Sequence, residues 1–309
     1  MKHSRQPALL VLIVTAIVAI GLGGTTLSPF QETSGEDSDL AEAAATTAPE
    51  TQVPDVLQAS TIEPTATLAP TLPPTEVPPT PTQEPVETPR PVAPENPYDQ
   101  SYILERGESG RREVALTFDA GEGAGYTAEI LDLLDAYDIK GSFGVTGEWA
   151  RANPDLILRI VDEGHMIINH TESHKSWTGA SSGGEPLSEA ERIEQLEGVE
   201  NAVYDISGYT TKPYFRPPYG DYDLEALQLL KREGYEYTLW WTCDSLAWSG
   251  LQPDEIEERC GPDSEYGGPG GIILMHVAQE NDYLALEALI TSYDAAGYDF
   301  VTMEQMIQP

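Results

Sequence analysis

The sequence predicts an α/β fold in which a parallel sheet closes, or nearly closes, into a barrel. From about Tyr98 to the end of the chain, short apolar runs bounded by turn residues alternate with longer amphipathic segments. Strands and helices that alternate in this way form parallel sheets covered by helices. Polar residues also follow several of the apolar runs directly, which is typical of parallel strands whose carboxyl ends carry a site.

The predicted strands are short apolar runs, each followed by turn or polar residues. In chain order they are Val114–Phe118, Ser142–Thr146, His165–Asn169, Tyr214–Arg216, Tyr235–Trp241, Ile272–His276 and Phe300–Thr302.

The predicted helices carry one-sided apolar patterns and start signals. Residues 130, 133, 134 and 137 lie on one face of the first helix, Pro154 fits the first turn of the second, and Ser188 with Glu191 forms a capping box for the third. The helices predicted are Thr127–Tyr137, Pro154–Glu163, residues 188–208, Leu224–Glu233, Pro253–Arg259 and Tyr283–Ala296.

The chain carries a large excess of negative charge. Its 309 residues include 52 acidic and 16 basic residues, for a net charge of −36, and residues 99–309 alone hold 40 acidic and 13 basic residues. Such a surface repels nucleic acid, because binding there depends on Lys and Arg side chains that neutralise phosphates. It also repels anionic lipid. We expect no nucleic-acid partner and an easier fit to a neutral or cationic substrate, although charge that only maintains solubility is the simpler explanation.

Residues 1–28 are predicted to be a signal peptide or an N-terminal membrane anchor. Lys2, His3 and Arg5 precede an uncharged apolar run from Ala8 to Gly24, which is the order found in export signals. The run is about as long as the shortest membrane-spanning helices, so a cleaved signal and an uncleaved anchor both stay open. Either one predicts a secreted or extracytoplasmic location, with membrane contact only through this segment.

Residues 29–98 are predicted to be a disordered linker rich in Pro and Thr. They lack apolar periodicity and include the stretch TLPPTEVPPTPTQEP. Proline at this density favours extended polyproline II conformations, and the composition buries too little apolar surface to fold. We expect a semi-rigid stalk that holds the folded domain, residues 99–309, away from a membrane or wall.

Cys243 and Cys260 are the two cysteines of the chain. In an oxidising compartment they can pair, and closing a loop of this length stabilises a fold by about 3 kcal/mol in the chain-entropy description. Two buried free thiols are the alternative.

Two segments place polar residues directly after predicted strands. TFDAG puts Asp119 where a carboxylate can act as a general base, although Asp-x-Gly is also ordinary turn chemistry. NHTESH puts His170 and His174 four positions apart, on the same side of a helical turn, where two imidazoles can bind one cation such as Zn²⁺. Two solvated histidines in a polar loop are the alternative.

Two further segments add a cation and an acid. In FRPPYG the prolines and Gly220 fix the backbone, so Arg216 and Tyr219 are held in defined directions and Arg216 can pair with a carboxylate. His276 ends an apolar strand, and an imidazole titrates in the range that suits proton transfer. Each segment alone has an ordinary structural explanation. Their order and joint placement at strand ends indicate a catalytic site.

Together these segments resemble the NodB-homology polysaccharide deacetylases of carbohydrate esterase family 4, over about Glu113 to Met306. TFDAG is similar to the family's TFDDG, NHTESH to His-(Ser/Thr)-x-x-His, CDSLAW to Asp-x-x-Asp-Trp and LMH to Leu-x-His, while RPPYG matches without change. The resemblance implies a distorted (β/α) barrel of the NodB-homology type, a divalent metal that is usually zinc, and hydrolysis of N-acetyl or O-acetyl groups on polysaccharides.

The resemblance also implies a role for each matched residue. Asp119 would be the general base, kept ionised and oriented by Arg216, and His276 the acid that protonates the departing amine. His170 and His174 would bind the metal. The substrate would be bound by Tyr219, Trp248 and Asp244.

Two residues depart from the family pattern. Ala120 replaces the Asp that is the family's third protein ligand to the metal. Glu122 is the candidate to substitute for it, and water in that position is the alternative. Ala247 replaces the Asp that tunes the catalytic histidine, a role that Asp244 could take over. Because the base, both histidines, the arginine and the acid are intact, the sequence favours an active enzyme with an altered metal site.

The alternative is a catalytically weakened protein of the same fold that serves as a carbohydrate-binding module, and the missing metal ligand supports it. A structural stalk protein with a spacer domain gives no reason for five motifs. For an enzyme, export and tethering favour peptidoglycan as the polysaccharide substrate, with chitin-like glycan, exopolysaccharide and xylan as further candidates.

Overall fold

The computed structural model describes residues 98–308, so the signal or anchor segment and nearly all of the predicted linker lie outside the described residues. The strands are β1 (Tyr102–Leu104), β2 (Glu113–Ala120), β3 (Ser142–Val145), β4 (Met166–Asn169), β5 (Tyr214–Phe215), β6 (Tyr237–Leu239), β7 (Cys243–Asp244), β8 (Gly271–His276) and β9 (Asp299–Phe300). The helices are α1 (Thr127–Ala136), α2 (Gly147–Ala152), α3 (Pro154–Asp162), α4 (Glu189–Ser207), α5 (Leu224–Arg232), α6 (Pro253–Cys260), α7 (Glu280–Ala295) and α8 (Met303–Met306).

The strands form one parallel sheet that curls into an open barrel. Its order is β1-β6-β5-β4-β3-β2-β8-β7, with β9 paired to the start of β2. Leu104 of β1 and Ile272 of β8 lie far apart in this order, yet both belong to the same inner apolar cluster. The sheet therefore wraps around that cluster, while β1 and β7 stand at its two ends. This confirms the predicted parallel, nearly closed barrel.

Side chains of β2 alternate between two apolar cores, as the twofold period of a strand requires. Leu116, Phe118 and Ala120 pack outward, in the cluster shared with the helices. Ala115 belongs to the inner cluster. Asp119 follows the same alternation, so its carboxylate points into the barrel at the strand's carboxyl end.

Four short elements do not appear among the predicted ones. Strands β1 and β7 and helices α2 and α8 are too short to show a repeating pattern of apolar residues. The sequence predicts that Thr302 ends the last strand; in the structure its hydroxyl accepts a hydrogen bond from the Gln305 backbone and caps α8. Helix α8 then places Met303 and Met306 in the inner core, and the Met303 N–H donates to Ser142 at the start of β3. It closes the barrel at the end opposite Asp119.

A disulfide joins Cys243 of β7 to Cys260 at the end of α6, with Cα atoms 5.6 Å apart. Both sulfurs lie in the buried outer core. Of the two alternatives for these cysteines, the structure has the paired one.

Within residues 98–308, no helix combines the length and the apolar character that crossing a bilayer requires.

Candidate active site

The sheet register brings the predicted base and acid side by side. Asp119 at the end of β2 lies directly opposite His276 at the end of β8. Asn169 and Phe215 pair in the same way between β4 and β5, so the residues that follow them, His170 and Arg216, leave the sheet at the same edge. The carboxyl ends of β5 and β4 on one side of β3, and of β2 and β8 on the other, thus carry four of the side chains that the sequence singled out.

Asp119 is held by a buried arginine. Arg216 is fully buried, and its Nη1 donates to Asp119 Oδ1 at 2.9 Å and to Thr117 Oγ1 at 3.0 Å. Burial alone would raise the pKa of the Asp119 carboxyl, but the positive charges of protonated His170, of Arg216 and of protonated His276 outweigh it and lower the pKa below its ordinary value. Asp119 is therefore ionised at neutral pH, in the form that can accept a proton.

His170 has a fixed tautomer. Its Nδ1 lies 2.9 Å from the carbonyl oxygen of Arg216, and because a carbonyl only accepts, Nδ1 must carry the proton. The other nitrogen, Nε2, lies 3.3 Å from Asp119 Oδ2. Burial lowers the pKa of His170, so the ring is neutral at pH 7. The permanent cation beside Asp119 is therefore Arg216.

His174 reaches His170 from a loop and not, as expected, from a helical turn. Residues 170–175 contain no helix, and Thr171 and His174 both have left-handed backbones, with φ of 67° and 55°. Thr171 Oγ1 accepts the His174 N–H at 3.1 Å, which fixes the loop. The two imidazole centroids still lie 4.8 Å apart. Burial, and next the charge of His170, lower the pKa of His174 to about 4.

The two imidazoles fit a divalent metal. A metal-ligating histidine commonly has its other ring nitrogen held by a carbonyl, as His170 does, and neutral imidazoles are the ligating form. Within residues 98–308, however, no group of three or more His, Cys, Asp or Glu side chains is arranged to hold a metal ion. A metal here would depend on His170 and His174, with its remaining positions filled by water or substrate.

Ala120 and Glu122, the two positions considered for a third metal ligand, lie in different surroundings. Ala120 is completely buried in the outer core, on the face of β2 opposite Asp119. Glu122 is exposed and lies on the rim of the same cavity as both histidines. Its proposed part in metal binding stays a prediction.

His276 is next to a buried carboxylate from α7. Its backbone N–H donates to Asp282 Oδ2 at 2.8 Å, and its Nδ1 lies 3.7 Å from the same oxygen. Burial by itself would lower the pKa of His276, but Asp282, with further contributions from the charges of Asp119 and Asp244, raises it above its ordinary value. A raised pKa favours the protonated imidazole, the form that suits a general acid.

Asp244 is engaged with Trp248. Both of its carboxylate oxygens lie 3.2 Å from the indole Nε1, and Oδ1 also accepts the Leu246 N–H at 2.9 Å. Its charge acts on His276 through space. Asp244 therefore orients an aromatic ring that is 58% exposed.

One cavity of about 710 Å³ is lined by Asp119, His170, His174, Asp244 and His276. Tyr219, itself 57% exposed, has its ring 4.7 Å from that of His174, and Trp241 and Trp248 also border the cavity. Aromatic faces suit the apolar faces of sugar rings. A larger groove of about 1100 Å³ between α6 and α7 contains none of the predicted site residues.

Two residues of the site were missed by sequence analysis. Gly144 lies inside β3, where an isolated glycine often marks a close approach of another group; here a Cβ atom would meet Asp119 Oδ1 at 2.3 Å. Asp282 is one of two acidic residues in the first turn of α7, with Glu280, and no sequence signal separates it from the other.

Comparison with known proteins agrees with this geometry. The family model for polysaccharide deacetylases matches residues 106–238. The chain is 32% identical to the peptidoglycan-N-acetylmuramic acid deacetylase PdaA of Bacillus subtilis, covering 68% of this chain and 76% of that protein. It is also 32% identical to a peptidoglycan-N-acetylglucosamine deacetylase of Bacillus cereus, covering 65% and 70% of the two chains.

Among solved structures, a CE4 family pseudoenzyme from Bacillus anthracis superposes with a TM-score of 0.60. It is 25% identical, and the match covers 67% of this chain and 69% of that one. The fold and the identity to the two Bacillus deacetylases show that the chain belongs to the polysaccharide deacetylase family, carbohydrate esterase family 4.

Proposed function

We propose that the protein hydrolyses N-acetyl groups on the amino sugars of peptidoglycan, with the help of a divalent metal, zinc in the first place. One observation carries the proposal. Asp119, ionised and held by Arg216, lies beside His276 on the neighbouring strand, and both side chains line the same cavity. The two deacetylases to which the chain is 32% identical act, by their names, on peptidoglycan sugars, and this supports the choice of polymer.

The proton transfers follow from the environments of the two groups. Asp119, whose pKa is lowered, takes a proton from the attacking water, while Arg216 holds its other oxygen and prevents the carboxylate from turning away. His276, whose pKa is raised, gives a proton to the departing amine nitrogen. A pair of groups whose environments separate their acid and base roles is the usual arrangement in general acid–base catalysis.

His170 and His174 would hold the metal. When bound, a divalent metal polarises the acetyl carbonyl and lowers the pKa of water. Tyr219 and Trp248 flank the cavity and would position the pyranose ring. An acetylated, uncharged sugar suits a cavity whose charged lining includes the carboxylates of Asp119, Glu122 and Asp244.

We also propose that the protein works outside the cytoplasmic membrane, where peptidoglycan lies. The basic and then apolar order of residues 1–28 supports export.

A carbohydrate-binding protein without activity is the second candidate, because two observations favour it. Ala120 removes the family's third metal ligand, and a pseudoenzyme is among the proteins of similar structure. The two candidates differ in one measurable property, the release of acetate.

The test is acetate release by the full chain from purified peptidoglycan and from N-acetylglucosamine oligomers, with added zinc and with a chelator. We expect zinc-dependent release that the chelator abolishes and that Asp119→Asn reduces by about 10³-fold or more. Glycan binding with no acetate release under any condition would leave the binding protein as the function.

A further inference from the structure

Asp282 is a buried acid with an incomplete set of partners. It is fully buried in the first turn of α7. Its Oδ2 accepts the backbone N–H of His276, whereas Oδ1 has no hydrogen-bond partner within residues 98–308, and neither does Nδ1 of His276. A buried carboxylate is unfavourable unless it is paired, and the one cationic group at ion-pair distance from it in the described chain is that imidazole.

We propose that Asp282 is the positioning residue of His276, and that it holds the imidazole with Nδ1–H toward α7 and Nε2 toward the cavity. The role rests on the proposed function, in which His276 is the general acid. The family places an Asp for this purpose at the position of Ala247, whose side chain is buried in the outer core. Here the carboxylate comes from a different element.

The backbone fixes the distance between the two groups. After β8 the chain turns at once into α7: the Gln279 N–H donates to the His276 carbonyl at 3.1 Å, and the Asp282 N–H donates to the Gln279 carbonyl at 3.2 Å. The hydrogen bond from the His276 N–H to Asp282 Oδ2 closes the same turn. Since Nδ1 is buried on the α7 side, the exposed part of the His276 ring, 28% of the side chain, lies toward the cavity.

Other charged groups also face His276, but within residues 98–308 none of them lies at ion-pair distance from its ring. Asp119 on β2 and Asp244 on β7 act on it through space, and they are engaged with Arg216 and Trp248 respectively. His170 and His174 are neutral near pH 7 because burial lowers their pKa values. The carboxylate at ion-pair distance is that of Asp282.

The experiment is a pH titration of the His276 ring by NMR in the full chain without metal, with the resonance assigned by its loss in His276→Gln. Asp282→Asn keeps an amide oxygen that can accept the His276 N–H but removes the charge. We expect the pKa of His276 to fall by about one unit, a tenfold loss of proton affinity. The alkaline limb of kcat against pH should move to lower pH by the same amount. Glu280→Gln removes a charge from the same turn of α7, and we expect it to leave both unchanged.

An unchanged His276 pKa in a folded Asp282→Asn variant would overturn the proposal. If that variant does not fold, the unsubstituted chain decides: His276 must titrate above the ordinary histidine pKa, and a value below it overturns the proposal as well. The titration needs no activity. If the pKa of His276 falls in Asp282→Asn but the natural chain releases no acetate, the positioning role is supported and the deacetylase function is rejected. If the natural chain releases acetate but the pKa does not fall, the deacetylase function is supported and the positioning role is rejected.

Discussion

The carboxylate of Asp119 occupies the space that a side chain on Gly144 would need. A Cβ atom at Gly144 would lie 2.3 Å from Asp119 Oδ1, the oxygen that accepts the hydrogen bond from Arg216. The register between β2 and β3 places the two residues directly opposite each other. The position of Asp119, the proposed general base, thus depends on a glycine in the neighbouring strand that leaves room for its carboxylate.

We expect Gly144→Ala to displace Asp119 and to lower kcat by about tenfold to a hundredfold, because small misplacements of a catalytic group are costly. Overpacking should also reduce the free energy of unfolding by about 1–3 kcal/mol. Steady-state kinetics and urea unfolding measure the two effects. Gly110→Ala is the control, since a Cβ atom there meets nothing within 4 Å. Unchanged kcat in Gly144→Ala would show that Asp119 tolerates displacement.

Arg216 should control the acidic limb of the pH profile. Burial alone raises the pKa of Asp119, and the charge of Arg216 helps to lower it. In Arg216→Met the pKa of Asp119 should therefore rise. Activity is then lost at a higher pH as the solution is acidified, so the acidic limb of kcat/KM against pH moves to higher pH. Breaking this buried pair should also cost about 3–5 kcal/mol of stability.

Arg192→Met is the matched control for this prediction. Arg192 is also a buried arginine, and it pairs with Asp223 at 3.4 Å, away from the cavity. Its loss should reduce stability without moving the acidic limb. If both variants shift the limb equally, the effect belongs to general destabilisation and not to contact with Asp119.

Local patterns in the sequence predict the strands and their order, whereas contacts between elements depend on packing. The parallel barrel followed from alternating apolar runs, and the placement of Asp119 and His276 followed from the rule that strand ends gather at one edge. The partners of these residues did not follow, because Asp282 and Gly144 act through contacts between elements. The turn predicted for His170 and His174 was wrong in conformation, because Thr171 and His174 adopt left-handed backbones that residue type alone does not indicate.

A buried histidine away from the site should make stability depend on pH. Burial, and next the positive charge of Lys140, lower the pKa of His165 to about 4 from 6.5. As pH falls from 6.5 toward 4, the unfolded chain takes up a proton that the folded protein does not, so stability falls through this window. For His165 the loss is on the order of 2 kcal/mol once solvent screening is allowed for.

His165→Gln tests this assignment. The Gln side chain can still accept the Gly141 N–H that His165 Nδ1 accepts at 2.9 Å, but it does not titrate. Urea unfolding of the metal-free protein at several values between pH 7 and pH 4 should show a shallower loss of stability in the variant. Equal slopes for both proteins would assign the acid sensitivity to other groups.

Replacing Ala120 by the family's Asp should couple stability to metal more strongly than in the natural chain. Ala120 is fully buried among apolar side chains of the outer core, so an Asp there must either remain in that environment or turn toward the imidazoles of His170 and His174. Without metal, we expect Ala120→Asp to lower the free energy of unfolding by about 1–3 kcal/mol, the cost of an unsatisfied buried polar group.

With zinc, a carboxylate that reaches the two imidazoles would complete a three-ligand set of the kind found in catalytic zinc sites. We therefore expect zinc to raise the melting temperature of Ala120→Asp more than that of the natural chain, with tighter zinc binding by calorimetry and faster acetate release. Ala120→Asn is the control, because it has the same size without the charge. If zinc stabilises all three proteins equally, residue 120 does not reach the metal, and the natural Ala120 has no part in setting metal affinity.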